Sequence, residues 1–320
     1  MKHATIFLSA FAILNALPAT AQTWPVKPIR IIVGFAPGGA VDIIARISAQ
    51  RLSEAFGRTV VVENRPGAST NIAAELVAKA APDGYTLLMG SSSQATNMTL
   101  FRTLPYDTLR DFSAVTQVGY GPQVLATHPA LPVKSVKELL ALARAKPGQL
   151  SYASAGNGSS QHLTGELFKQ LNTVDIVHVP YKGGQPALVD VISGQIAYMF
   201  INTLEVLPHA KAGRLKVLAV ASNKRSSVLP EIATFAESGA PKLVAETWWG
   251  LLAPAGTPKE NIARLHSEIT KGLSTPEMKE RITVLGAEPV GNSPEQFGVF
   301  IREEVQKWGD VVRRLGIKVD

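Results

Sequence analysis

The sequence predicts an α/β protein of two lobes, and three observations predict it. Strand-like runs rich in β-branched residues alternate with amphipathic helix patterns. Several of these strands break at a loop of small residues that opens straight into a helix. The alternation changes character near Tyr120 to Gln123 and again near Ser222 to Arg225, so the chain is expected to cross between lobes twice. Residues 22–122 and 223–320 then form one lobe and 123–222 the other. Two crossings allow hinge closure over a ligand.

The elements follow in order. Lys2, the mostly apolar run Ala4 to Leu17 and the A-x-A site Ala19-Thr20-Ala21 read as a secretory signal over residues 1–21, with the mature chain starting near Gln22. The apolar run is shorter than the roughly 20 residues that span a bilayer, so an exported protein is expected in the periplasm. IRIIVGF (29–35) is a strand, Pro37-Gly38-Gly39 a turn, and a helix beginning near Asp42 runs to Phe56, with Gly57 as its stop. TVVVENR, NIAAELVAKAA and YTLLMGS continue as strand, helix and strand, with Pro82-Asp83-Gly84 turning the chain before the last. The same parallel alternation resumes from Val124 to Val220. Helices over 258–273, around Pro276 to Val284 and over 294–315 complete the chain and are expected to pack back on the first lobe.

The loops carry the functional signal. Gly38 and Gly39 let backbone N–H groups approach a bound group, and the helix start that follows offers unpaired donors and the positive end of a dipole. An anion, most simply a carboxylate, suits such a cradle. One cradle alone is equally explained as an ordinary strand-to-helix turn. Segments 86–101, 150–171 and 196–213 repeat the grammar, however. Loops at the carboxyl ends of strands converge on one crevice in open α/β sheets, which predicts a polar pocket.

Composition narrows the function. The formal charge is +7 and there is no cysteine, so neither disulfides nor thiolate-bound metal hold the fold. Lys and Arg are interleaved with Asp and Glu, as in 259–273, which argues against nucleic acid. No GxSxG elbow, HExxH motif or Walker loop occurs. A dispersed Ser/His triad is not excluded by spacing, which leaves a secreted hydrolase as a rival reading.

The strings FAPGGAVD (35–42), VVVENRPGASTNIAAELVAKAAPDGYTLL (60–88), LPYDTLRDF (104–112), GSSQHLTGELF (158–168), VPYKGGQPALVDVISGQIAYMF (179–200) and LLAPAGTPKENIARL (251–265) stand in that order along the chain. In this ordered set the chain resembles the tripartite tricarboxylate transporter substrate receptors, the Bug-type periplasmic solute-binding proteins. The resemblance implies a two-lobed type II periplasmic-binding fold that closes on a small, usually carboxylated solute and delivers it to membrane permease subunits. It implies binding without chemistry. No cofactor and no metal are expected, and a monomer is the default for a receptor that must close. Presentation of the closed form to a signalling partner is the alternative.

The family's ligand loops map onto Phe35, Gly38, Gly39 and Asp42, then Ser91, then Ser154, Gly158, Ser159 and His162, with Tyr181, Lys182 and Gly183 closing the cleft. Gly158 and Ser159 precede a helix, so their backbone donors and the Ser159 hydroxyl suit a second carboxylate. Asp42 reads as a helix-start residue bonding its own backbone or a water, because it would repel an anion. His162 is either a structural hydrogen-bonding residue or a ligand contact, and Lys182 either binds an anion or is solvated at its turn. Phe35 either walls the pocket or fills a strand-end core. Trp248 and Trp249 are expected to divide between core and cleft or surface. The chain departs from the family at Ser69, Thr70 and Ala73, where further glycines are common, and at Ile201, where many members carry Asp. If that Asp meets an amine, Ile201 argues against an amino-acid solute.

Overall fold

A computed structural model describes residues 24–241 and 243–317. The signal segment and the start at Gln22 lie outside the described residues. The first lobe opens with β1 (Ile29–Val33), α1 (Ala40–Phe56), β2 (Val60–Asn64), a 3-10 turn (Ala68–Thr70), α2 (Asn71–Ala78), β3 (Thr86–Ser91) and α3 (Ser92–Leu100). β4 (Phe112–Thr127) leads into α4 (Val136–Ala145), β5 (Ser151–Ser154), α5 (Ser160–Asn172), β6 (Val177–Pro180), α6 (Gly184–Ile192), β7 (Tyr198–Asn202), α7 (Thr203–Lys211) and β8 (Lys216–Val220). The chain returns through β9 (Glu246–Pro254), α8 (Lys259–Ser274), α9 (Pro276–Thr283), β10 (Glu288–Pro289) and α10 (Pro294–Leu315).

Local chemistry fixes the helix ends. Gly57 takes the left-handed conformation that stops α1, while Ser135, Ser159, Thr275 and Ser293 cap α4, α5, α9 and α10 with their side-chain oxygens. α10 also has a capping box between Ser293 and Gln296.

β4 is the strand that joins the lobes. From Phe112 to Pro122 it pairs with β9, and from Gln123 to Thr127 with β7. β8 lies along the same second half. The strand order is β2-β1-β3-β9-β4-β7-β5-β6, with β1 parallel to β2 and β3, and β5 parallel to β6 and β7. Both sheets are mixed, not wholly parallel, because β4 and β9 enter each lobe from the other without a crossover helix and so run antiparallel to their neighbours.

The two crossings lie side by side. Gln123 N–H donates to Ala245 O at 3.0 Å, Ala221 N–H to Gln123 O at 2.8 Å, and Ala245 N–H to Ala221 O at 2.9 Å. The return crossing therefore lies at Ala245 to Glu246 and not near Ser222. Segment 223–245, assigned from the sequence to the first lobe, packs on the second: Phe235, Leu243 and Ala245 join Leu125, Phe168 and Phe200 in one apolar cluster. Burying those side chains against the second lobe holds the segment there, although its weak periodicity gave no sign of it.

Trp248 and Trp249 are both buried, with no cleft or surface member. β9 is a central strand covered on both faces, so its successive side chains point oppositely and each meets a core. Trp249 joins the cluster between the sheet, α1 and α8, and Trp248 packs edge-on to Phe297 and Phe300 of α10. α10 also reaches across the lobes, since Trp308 and Val312 share a cluster with Ala95 and Leu100 of α3 and Leu163 of α5.

Candidate functional site

The starts of α1 and α3 in the first lobe face those of α5, α6 and α7 in the second across a narrow cleft between the lobes. Its wall includes Phe35, Gly39, Ala40 and Val41 from the first cradle and Ser91 and Ser93 from the second. Ser160, Gln161, Gly184, Asn202 and Glu205 face them from the other lobe. The starts of these helices converge on one small volume, so their dipoles and those first-turn N–H groups not engaged within the loops favour a bound anion. An outer cleft continues past Gly67 to Thr70, Ser159, Tyr181 and Lys182.

In the first cradle Phe35 and Gly39 line the cavity, but Gly38 and Asp42 stand behind it. Gly38 has φ +82°, and its N–H donates to Asp42 Oδ2 at 2.9 Å. Asp42 also accepts from Arg46 Nε at 2.8 Å and from Asn64 Nδ2 at 2.9 Å. Asn64 Nδ2 in turn donates to Phe35 O at 3.0 Å, so the buried carboxylate ties the loop together. Burial pushes Asp42 up, but the bonds from Arg46, Gly38 and Asn64 outweigh it and hold the group below the ordinary carboxylate range. The folded-state value is depressed, so the stabilisation is present above the unfolded value of 3.8 and is lost as pH falls through the folded one. Asp42→Asn is expected to lose about 1.5–3 kcal/mol near neutral pH, the scale of hydrogen bonds to a charged group. In urea melts at a series of pH values the gap from the parent should shrink on acidification; a gap independent of pH would refute the role.

Ser91 caps α3 and lines the cavity, its own N–H held by Gln94 Oε1 at 2.7 Å in a capping box. Thr70 Oγ1 accepts from Gln94 Nε2 at 3.1 Å, and Asn97 Nδ2 donates to Ser69 O at 2.8 Å. These bonds brace three successive left-handed residues, Ala68 (φ +42°), Ser69 (φ +54°) and Thr70 (φ +77°), at the edge of the cleft. Such strain persists only where the surroundings over-determine it.

The α5 loop departs from expectation. Gly158 N–H donates to His162 Nδ1 at 3.1 Å, and the Ser159 hydroxyl donates to Gly156 O at 2.6 Å while accepting from His162 N–H. Those donors are spent within the turn and are not free for a carboxylate. An N-cap side chain folds onto its own helix, so the next residues, Ser160 and Gln161, are the ones that face the cavity. Ser154 is fully buried beneath the loop, bonded to Gly156 and 2.7 Å from His178 Nε2. His162 stacks on His178 at 4.2 Å, and burial pulls it down to about 4, so it is a neutral structural acceptor.

The cleft-closing loop crosses between lobes. Ala36 N–H donates to Lys182 O at 3.1 Å, and a Cβ on Gly183 would lie 3.0 Å from Ala36 N. Tyr181 OH donates to Asp190 Oδ2 at 2.5 Å, fixing the loop to α6. Tyr181 and Lys182 line the outer cleft, while Gly184 reaches the inner cavity.

Ile201 is not at the site. It is fully buried among Val124, Met199 and Val220, and its strand neighbour Asn202 faces the cavity instead, as alternation requires. A buried Ile201 therefore says nothing against an amine on the solute. Ser160, Gln161, Asn202, Glu205 and Thr247 escaped the sequence reading. Ser160 and Gln161 carried a signal, the helix start itself; Thr247, whose Oγ1 lies 2.8 Å from Ser160 Oγ across the lobes, carried none.

The family model described as "Tripartite tricarboxylate transporter family receptor" matches residues 44–317. The chain belongs to that family. BugT of Bordetella pertussis is 40% identical over 316 residues, 98% of this chain and 96% of that one. A protein of R. palustris solved with adipate superposes with a TM-score of 0.90 at 37% identity, covering 92% of this chain and 99% of its own. MatC of Rhodopseudomonas palustris, solved with malate, gives 0.86 at 32%, covering 90% and 100%. This receptor is thus a periplasmic-type solute-binding protein of two-lobed fold and not an enzyme. No helix among its described residues is long and apolar enough to cross a membrane.

Proposed function

We propose that this receptor, exported to the periplasm after loss of residues 1–21, acts as a monomer, closes on a small carboxylated solute and presents it to the membrane permease subunits of a tripartite tricarboxylate transporter. The observation that carries the reading is the convergence of the starts of α1, α3, α5 and α6 on one cleft between the lobes. Ser91, Ser93, Ser160 and Gln161 are its polar contacts, and Phe35 is its apolar wall. Asp42, Ser154, Gly158, Ser159 and His162 hold the loops, and Tyr181, Lys182 and Gly183 guard the entrance. The adipate and malate carried by two relatives support a carboxylate as solute class.

A thermal-shift screen of the ligand-free protein over mono- and dicarboxylates tests it. Binding to the native state is expected to raise the melting temperature progressively with solute concentration, by the equivalent of about 2.7 kcal/mol at a hundredfold excess over Kd. Shifts with neutral solutes alone would reject the carboxylate assignment.

A further inference from the structure

Glu205 is a buried acid on the wall of the cavity. It stands in the first turn of α7, 3% exposed. At Oε2 its carboxyl accepts from Asn202 Nδ2 at 2.9 Å, and the Ala40 N–H of the facing lobe helps to stabilise its charge. A Cβ on Gly184 would overlap Oε1, and one on Gly39 would lie 3.4 Å from it, so the group is wedged between the starts of α6 and α1. Charged groups on the surrounding elements are engaged elsewhere or distant: Asp42 and Arg46 of α1 bond each other, Asp190 of α6 holds Tyr181, Lys182 lines the outer cleft, and His209 and Lys211 stand at the far end of α7. β7 carries no charge. Among the described residues no basic group forms an ion pair with Glu205.

We propose that Glu205 makes solute capture proton-linked: as a solute carboxylate enters, the Glu205 carboxyl takes one proton from solvent and donates a hydrogen bond to it. This rests on the carboxylate reading above. Two ionised carboxylates in one small, poorly screened cavity repel each other, and protonating the resident one converts repulsion into a donor. Burial already pushes Glu205 up to about 7, against the opposing influence of the Asn202 bond and the Ala40 N–H, so the proton is readily accepted near neutral pH. A solute lacking an acceptor at this end leaves the protonated carboxyl without a partner, so Glu205 is also a specificity-determining residue.

The experiment is isothermal titration calorimetry of the whole receptor with adipate and with malate, from pH 6 to 8, in buffers of contrasting ionisation heat. Proton uptake should rise toward one per solute, and affinity should fall about tenfold across that range. Glu205→Gln, which keeps a donor, should bind with no uptake and a flat profile. Uptake that persists in Glu205→Gln, or a flat parent profile, overturns the coupling while the carboxylate reading stands. Preference for ammonium-bearing acids with proton release also overturns it. If neither these acids nor any in the screen binds, the carboxylate reading falls and the coupling with it. Ligand-free melts check the residue independently. A raised folded value means stability is full below the unfolded 4.5 and is lost as pH rises toward 7, so the parent should weaken relative to Glu205→Gln over that window. Parallel melting curves would overturn the proposal.

Discussion

Gly158→Ala is expected to weaken solute binding roughly tenfold to a hundredfold while leaving both lobes folded. The glycine sits in the second lobe at φ +74°, and its carbonyl accepts from Thr96 Oγ1 of α3 at 2.6 Å across the cleft. A Cβ there would lie 2.5 Å from Leu100 Cδ2 and 2.6 Å from Asn97 Oδ1, both on the first lobe. The substitution has two separable effects. The left-handed backbone costs about 1–2 kcal/mol whether the lobes are together or apart, so it lowers the stability of the second lobe and not the affinity. The clash with α3 exists only when the lobes meet, and overpacking of this kind costs about 1–3 kcal/mol, which falls on the bound form. Calorimetric affinities read beside urea melts separate the two, with a solute found in the carboxylate screen. An unchanged Kd would mean that the lobes of the bound receptor do not approach at Gly158.

Phe168→Ala is expected to have the largest effect on stability, about 3–5 kcal/mol. Phe168 lies on α5, fully buried, with ring centroids 5.6 Å from Phe200, 5.9 Å from Phe235 and 6.2 Å from Tyr198. It ties the helix whose first residues face the cavity to β7 and to segment 223–245. Removing the ring leaves a cavity walled by other aromatics, which close-packed neighbours cannot fill without leaving their rotamers. Denaturant unfolding checks it, and a loss below about 1 kcal/mol would show that the cluster collapses around the gap.

These residues show what the sequence discloses and what it withholds. The strand-loop-helix grammar was legible because glycine turns, cap residues and period-3.6 faces are local. It led to loops that border the cleft: FAPGG, the Ser91 turn and the 154–162 turn. Within each loop the sequence could not tell which donors would be consumed, and Gly158 and Ser159 prove to be tied to His162 and Gly156. Strand parity defeated Ile201 by one residue, since nothing in YMFIN marks which face meets the cavity. Thr247 and Glu205 reach the site only through the tertiary arrangement, from a returning strand and from a helix whose acid looks like any solvated one. The two crossings were legible as changes of pattern, but the second was displaced because segment 223–245 earns its place by burying scattered apolar residues and not by periodicity.

The position of β9 imposes an order on assembly. It lies between β3 and β4, although it comes after the entire second lobe in the chain. As a polypeptide elongates from its N-terminus, strands β4 to β8 are available to one another before β9 is made. The facing edges of β3 and the first half of β4 wait unpaired for residues 246–254. Open strand edges invite pairing with other molecules, so a half-made first lobe is prone to association. The sheet that carries the first two cradles is sealed only by the last part of the protein, and a chain cut short before β9 has neither a complete first lobe nor Thr247 to span the cleft.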